Sequence, residues 1–275
     1  MQIAVASGKG GTGKTTISTS LALCAQGGVQ FLDCDVEEPN GHIFLKPELT
    51  ESSKHSVAIP RIVTEQCSYC GKCRNICRFN AITMFGQTIM AFSELCHSCL
   101  GCFLVCEENA IVHDSREVGV LEQGQAGEIA FVHGRIRVGE AMAVPLINEV
   151  KKKANKADLV IIDAPPGTSC PFVEAVSGAD FVLLVTEATP FGLHDLKLAV
   201  QVLRTFAKPC GVLVNRSDLG DDRLEKWCQV ENIPVLLKIP FDRTIAEGYA
   251  RGDTLLQSRP DLRQPLENLL QEIVQ

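Results

Sequence analysis

The chain has 275 residues, a net charge of −7 and 45% hydrophobic residues, which allows one large domain or two ordinary ones around a sizeable core. The acidic balance, with Lys151-Lys152-Lys153 as the densest basic spot, excludes a nucleic-acid surface as the main business. No apolar run nears the ~20 residues that cross a bilayer, and no charged-then-apolar leader opens the chain, so a cytoplasmic protein without nucleic-acid or membrane partners is expected.

Short β-branched runs predict strands at residues 3–6, 29–33, 129–132, 159–163, 181–186, 211–215 and 235–239. Helical patterns cover 14–25, 140–154, 191–206, 221–230 and 261–273. This alternation predicts an α/β fold with a mostly parallel sheet covered on both faces. It breaks between about Pro39 and Gly139, where the chain becomes cysteine-rich and carries a hairpin-like piece at 83–92. The break reads as a compact insertion, dividing the chain into a first part at 1–58, an insert at 59–116 and a second part at 117–275. Pro60 and the glycine-rich stretch 119–127 lie near its edges.

Gly8-Lys9-Gly10-Gly11-Thr12-Gly13-Lys14-Thr15 satisfies G-x-x-x-x-G-K-S/T in full, between a predicted strand and a predicted helix. The glycines let backbone N–H groups wrap a phosphate chain, and the helix start adds its positive dipole end. In that role Lys14 reaches the β- and γ-phosphates of ATP and Thr15 ligates Mg²⁺. Gly8, Gly10, Gly11, Thr12, Gly13 and Thr16 complete the phosphate loop. Leu32-Asp33-Cys34-Asp35 ends a predicted strand, and the apolar run 159–162 ends in Asp163, the pattern of an acid that binds Mg²⁺.

Thirteen cysteines exceed what packing needs in a reducing compartment, where disulfides are not expected. Cys67-x-x-Cys70-x-x-Cys73-x-x-x-Cys77 is followed by Cys96-x-x-Cys99-x-x-Cys102-x-x-x-Cys106. This is the bacterial ferredoxin spacing, twice, in which the fourth cysteine of each run ligates the other cluster. One 4Fe–4S cluster is therefore assigned to Cys67, Cys70, Cys73 and Cys106, and a second to Cys96, Cys99, Cys102 and Cys77. Zinc is the alternative occupant of Cys-x-x-Cys pairs, and two complete four-cysteine runs speak against it. Gly71 and Gly101 are placed where the chain must hug a cluster. Asn80-Ala81-Ile82 and Asn109-Ala110-Ile111 repeat after each fourth cysteine, while Arg78 and Glu107 stand where proline usually follows it. Outside the insert, Cys24, Cys210 and Cys228 read as small core residues, and Cys34 reads either way.

Lys9, directly after the first glycine, resembles the deviant Walker A P-loop ATPases, which include MinD, ParA, the Mrp-type proteins and the nitrogenase iron protein. The resemblance implies that Lys9 crosses a dimer interface to the partner's nucleotide, and that Asp35 positions the attacking water or acts as its base. It also implies that Asp163 holds Mg²⁺ through water and that Ala164-Pro165-Pro166-Gly167 is a second switch, where a backbone N–H meets the γ-phosphate. Asn215 is implied to read the adenine base, with Ile239-Pro240-Phe241-Asp242 as the second wall of its pocket. Lys9, Lys14, Asp35 and Asp163 are thus the catalytic candidates. Cys170 stands seven residues after Asp163, an offset at which the nitrogenase iron protein holds a shared cluster; it reads as an interface metal site or as a structural cysteine. With residues 33–40, Arg137-Val138-Gly139-Glu140 and 163–171, nearly the whole chain resembles MinD-superfamily ATPases that carry an inserted ferredoxin domain.

Two functions fit these expectations. In one, ATP state gates electron transfer through two clusters to a redox partner, across a homodimer or a pair of paralogues. In the other, the chain is an iron–sulfur or metal-cofactor carrier of the Mrp type. A third class, a positioning ATPase, needs a basic DNA face or a cationic membrane helix, and residues 266–275 carry Glu267 and Glu272 with no Lys or Arg.

Overall fold

The computed structural model describes residues 1–274. The first half of the chain gives β1 (Gln2–Ala6), α1 (Lys14–Cys24), β2 (Val29–Asp33), α2 (Gly41–Leu45) and β3 (Glu48–Ile62), then α3 (Lys72–Ile76), β4 (Ile82–Phe85), β5 (Thr88–Ala91), α4 (Gly101–Leu104), β6 (Ile111–Ala126) and β7 (Ile129–Ile136). The second half gives α5 (Val144–Lys152), β8 (Leu159–Asp163), α6 (Cys170–Val176), β9 (Phe181–Glu187), α7 (Pro190–Thr205), β10 (Cys210–Asn215), α8 (Arg223–Val230), β11 (Val235–Ile239), α9 (Arg243–Arg251), α10 (Leu255–Ser258) and α11 (Arg263–Val274).

Nine strands form one sheet in the order β11-β10-β9-β1-β8-β2-β7-β6-β3. Strands from β11 to β7 are mutually parallel. The apolar runs of β2 and β8 are buried along their whole length, as strands covered on both faces must be. On one face α1 and α11 pack Ile17, Leu21 and Leu266 against Phe31 and Phe131. On the other, α5, α6 and α7 pack Leu146, Phe172 and Leu196 against Val132, Ile162 and Leu184. Among the described residues, no helix is long and apolar enough to cross a membrane.

The strands predicted from β-branched runs all form, but β3 and β6 come in addition. They pair with each other antiparallel along nearly their whole length, and β6 also pairs antiparallel with β7. Their polarity hides them from a hydropathy reading: the first seven residues of β3 are exposed, and only Val57, Ile59 and Pro60 are buried. Its charges and Pro60 suit an edge strand that must refuse further pairing. The divisions at 58/59 and 116/117 fall inside these two strands. Of the glycines read as an edge of the insert, Gly119 and Gly124 lie within β6 and Gly127 in the turn to β7. A Cβ at Gly124 would stand 2.0 Å from Glu48 O, and one at Gly119 would stand 2.4 Å from Arg135 O.

The register fixes where the cysteine-rich segment sits. β2 and β7 run parallel with Asp33 beside His133, so both strands end on the same side of the sheet. Gly119 of β6 is opposite Ile136, the last residue of β7, so residues 111–118 continue past the strand ends with β3 alongside. This two-stranded ribbon carries residues 63–110 at the carboxyl end of the parallel strands. There α3, α4 and the β4–β5 hairpin close on a small core of Cys73, Ile82, Ile89 and Ile111.

Leu146 of α5 is fully buried over two glycines, with its side chain 2.9 Å from where a Cβ would stand at Gly119 and at Gly134. Leu146→Ala opens a cavity there, and urea unfolding is expected to show a loss of about 2–5 kcal/mol with an unchanged m-value. A loss below about 1 kcal/mol would mean that α5 does not close this face of the sheet.

Candidate functional site

The loop between β1 and α1 lies at the point where the chain passes from the centre of the sheet to its covering layer, with β8 and β9 on either side of β1. Gly11 and Gly13 have φ of +79° and +94°, the left-handed region that glycine enters freely. Gly13 also admits Asn215: a Cβ there would stand 2.6 Å from Asn215 Nδ2, which donates to Thr12 O at 2.8 Å. No side chain caps the N-terminus of α1, so its first N–H groups remain for a ligand. Gly8 serves packing instead, since a Cβ there would stand 2.3 Å from Asp195 O on α7.

Strand ends supply the acids around Lys14. Its Nζ donates to Asp35 Oδ2 at 3.2 Å and to Asp163 Oδ1 at 3.3 Å, and Thr15 Oγ1 donates to Asp163 Oδ2 at 2.6 Å. Asp33, beside them, accepts from the backbone N–H groups of Asp35 at 3.2 Å and Gly41 at 2.9 Å. Burial and then the neighbouring Asp163 push Asp33 well above the usual carboxylate range. Burial also pushes Asp35 up, with Lys14 pulling it back. Burial pulls the Lys14 ammonium down, but Asp163, Asp35 and Asp33 together outweigh it and hold it above the ordinary lysine value. Asp35 and Asp163 against one ammonium leave negative charge uncompensated, and hard oxygen donors of this kind suit Mg²⁺.

These groups open into a cavity of about 420 Å³ lined by Gly10, Gly11, Gly13, Lys14, Thr15, Thr16, Asp35, Pro166, Asn215 and Pro240. Phe241 lines it as well, with Ile245 and Tyr249, which the sequence reading did not single out. They come from α9 and its entry, for which the usable sign was Asp242, whose carboxylate accepts from Thr244 N at 2.8 Å and caps the helix. Thr12 is buried and Gly167 bonds its N–H to Ser7 O at 3.0 Å; neither lines the cavity. Lys9 does not project away from the chain. Its Nζ donates to Glu187 Oε2 at 3.1 Å, and the same carboxylate pairs with Arg216.

The structure brings the eight clustered cysteines together in two fours. Cys67, Cys70, Cys73 and Cys106 line one cavity, of about 120 Å³. Cys77, Cys96, Cys99 and Cys102 line a second and tighter one, of about 20 Å³, beside the stacked rings of Phe79 and His97. Among the described residues, no three His, Cys, Asp or Glu side chains converge as ligands of a single ion. Each Cys-x-x-Cys turn places a residue in the left-handed region, Tyr69 at φ +55° and Ser98 at +52°. Their N–H groups then point at sulfur, Tyr69 N at 3.4 Å from Cys67 Sγ and Ser98 N at 3.4 Å from Cys96 Sγ. Ala81 N lies 3.3 Å from Cys77 Sγ, after Asn80 at φ +53°. N–H groups aimed at sulfur favour the thiolate, the form that ligates metal. Against this, burial pushes the Cys102 thiol up to about 11 and raises Cys73 also.

Gly71 and Gly101 are not equivalent: Gly71 has φ +75°, whereas its counterpart in the second run is Leu100, at φ +60°. Gly101 instead opens α4, its Cβ position 3.7 Å from Ile76 and 3.8 Å from Cys99 Sγ. Cys34 is fully buried behind the acids, and burial drives its thiol far up, so it is a core residue. Cys170 is exposed at the start of α6 and lines none of the three cavities.

The profile of the CbiA domain, the CobQ/CobB/MinD/ParA nucleotide binding domain, matches residues 3–255. An uncharacterized protein of Methanocaldococcus jannaschii is 29% identical, over 100% of this chain and 98% of its own length. An iron-sulfur cluster carrier protein of Aquifex aeolicus is 25% identical, over 94% of this chain and 62% of its own length. Among solved structures, the septum site-determining protein MinD complexed with Mg-ADP from Pyrococcus horikoshii superposes with a TM-score of 0.58. That match covers 99% of this chain and 95% of the other at 20% identity, a likeness of fold. The chain belongs to the CobQ/CobB/MinD/ParA family of nucleotide-binding domains.

Proposed function

We propose that this protein is an ATP-hydrolysing iron–sulfur protein in which nucleotide state governs electron transfer to a partner through two 4Fe–4S clusters. The observation that carries the reading is the grouping of eight cysteines into two fours, on the same side of the sheet as Lys14 and its acids. Cys67, Cys70, Cys73 and Cys106 would hold one cluster, and Cys77, Cys96, Cys99 and Cys102 the other, in a ferredoxin-like insert. Such clusters supply one-electron chemistry when bound.

The chain's own residues do the rest. Lys14 leaves its carboxylates for the β- and γ-phosphates of ATP, and Thr15 with Asp163 holds Mg²⁺. Asp35, freed from Lys14, orients the attacking water, while Pro166 faces the γ-phosphate. Asn215 and Pro240 hold the base. Lys9, released from Glu187, reaches the nucleotide of a second copy or a paralogue. A second reading, a cluster or metal-cofactor carrier, draws on the likeness to the Aquifex carrier and on the exposure of Cys170. It requires a labile centre beyond the two fours, seen as iron passed to an apo-acceptor and lost on Cys170→Ser.

Anaerobically purified protein is expected to hold about eight iron and eight sulfide per chain, and Cys102→Ser about half of that. Zinc in place of iron would overturn the reading. Reduction with dithionite is expected to change ATP affinity about fivefold or more, the lower end of ordinary site-to-site coupling, and ATP must shift the cluster potentials reciprocally. Equal ATP affinities in both redox states would leave the clusters uncoupled from the nucleotide.

At Mg-ATP one hundred times its Kd, the folded protein gains about 2.7 kcal/mol, a rise of several degrees in Tm. Lys14→Ala is expected to lose that rise. Without nucleotide it is expected to be less stable by about 3–5 kcal/mol, since it leaves buried carboxylates unpaired. An unchanged Tm response to Mg-ATP would remove Lys14 from the phosphate site.

A further inference from the structure

The two cysteine fours differ in what fastens them to the sheet. Arg116 of β6 is buried, its side chain 5% exposed, and reaches the second run. Its Nη1 donates to Ser93 O at 2.6 Å and its Nη2 to Cys96 O at 3.2 Å. The same Nη2 donates to Glu140 Oε1 at 3.2 Å, and the Glu140 side chain is only 1% exposed. Glu140 also accepts from Met142 N at 3.1 Å. Arg137 adds a second strap, donating from Nη2 to Glu94 Oε2 at 2.9 Å and from Nε to Glu117 O at 3.1 Å.

This cluster of charges is joined to the nucleotide site by backbone bonds. Val36, next to Asp35, accepts from Ile136 N at 2.9 Å. Arg137 N donates to Val118 O at 2.8 Å, and Glu140 N donates to Arg137 O at 3.0 Å. A continuous set of bonds therefore runs from the acid that faces Lys14, through the end of β7, to the carbonyl of Cys96. Packed elements of this kind pass on discrete shifts and do not absorb them.

We propose that Arg116, clamped by Glu140, is a positioning residue that ties the Asp35 loop to the second cysteine four and sets the reduction potential of the cluster held there. The inference rests on the iron–sulfur reading above. A buried guanidinium bonded to the Cys96 peptide favours the more negative, reduced state of whatever that cysteine ligates, and so raises its potential. The first four receives no bond from Arg116, whose side-chain partners are Ser93, Cys96, Glu140 and, at 3.9 Å, the exposed Glu94. When phosphates draw Lys14 away from Asp35, the Val36–Ile136 bond carries the change to Glu140, and the guanidinium follows its counter-charge.

The test is an anaerobic redox titration with dithionite as the one-electron donor, followed by electron paramagnetic resonance, with Mg-ADP and with a non-hydrolysable ATP analogue. Iron is counted first. Wild-type protein without iron removes the iron–sulfur reading itself, and with it the ground for this one. In iron-replete protein, Arg116→Gln is expected to lower the potential of one cluster and leave the other in place, and Arg116→Lys to restore it. Glu140→Gln, which keeps the arginine but removes its buried counter-charge, is expected to raise the same potential and abolish its response to nucleotide. Potentials that move together, or not at all, in R116Q with full iron content overturn the inference and leave the iron–sulfur reading standing. Should R116Q lose iron, E140Q decides, and an unmoved potential with an intact nucleotide response overturns the inference.

Discussion

The Lys14 ammonium lies 3.2 Å from Asp35 and 3.3 Å from Asp163, on the ends of adjacent strands, with Asp33 behind them. Each group is costly to bury alone; Lys14 and the carboxylates lower one another's cost, while the carboxylates raise each other's. The sheet order produces this arrangement: β1 delivers the glycine loop between β8 and β9, and β2 runs beside β8 so that Asp33 and Asp163 are register partners. An ammonium held by carboxylates in this way occupies the position of a cation in a phosphate site. A nucleotide with Mg²⁺ replaces one set of charge pairs by another, so exchange between the two states needs little net free energy. That near-balance is what a switch requires.

The ribbon of β3 and β6 ties the end of β7 to the cysteine-rich segment. Half of β6 belongs to the sheet beside β7 and half extends past it, so a shift at the end of β7 is a shift at the base of the cysteine-rich segment. A flexible linker would have absorbed that shift. Here the crossing is a paired antiparallel ladder, braced by the Arg116–Glu140 pair and by Arg137. The buried ion pair adds little to stability in itself, since desolvation offsets most of its attraction. Its worth lies in direction: a guanidinium with donors at fixed angles can fasten two carbonyls and a carboxylate at once.

The sequence exposes those parts of the molecule whose chemistry demands a fixed local spacing. The glycine loop, Asp163 at the end of an apolar run and the two cysteine runs were legible because a few adjacent residues carry each one. What escaped notice depends on distant partners. β3 and β6 have polar sequences because β3 is an edge and part of the ribbon leaves the sheet, so no hydrophobic alternation marks them. Tyr249 and Ile245 reach the nucleotide cavity from a short helix far along the chain. Leu100 occupies the left-handed position that Gly71 holds in the first run, which a glycine search cannot find. Arg116 and Glu140 are unremarkable in sequence, and only folding makes them a buried pair.

Lys9 shows how the loop can remain poised without being committed. In this state it is paired with Glu187 at 3.1 Å, with about a third of its side chain in water. A pair so exposed contributes on the order of 0–1 kcal/mol. Glu187 would not be stranded by its departure, because Arg216 stays on the same carboxylate. Arg216 follows Asn215 at the end of β10, and Asn215 holds Thr12 of the loop. Release of Lys9 thus leaves the loop's other anchor intact. The lysine can leave its partner while the glycines that shape the cradle keep their place.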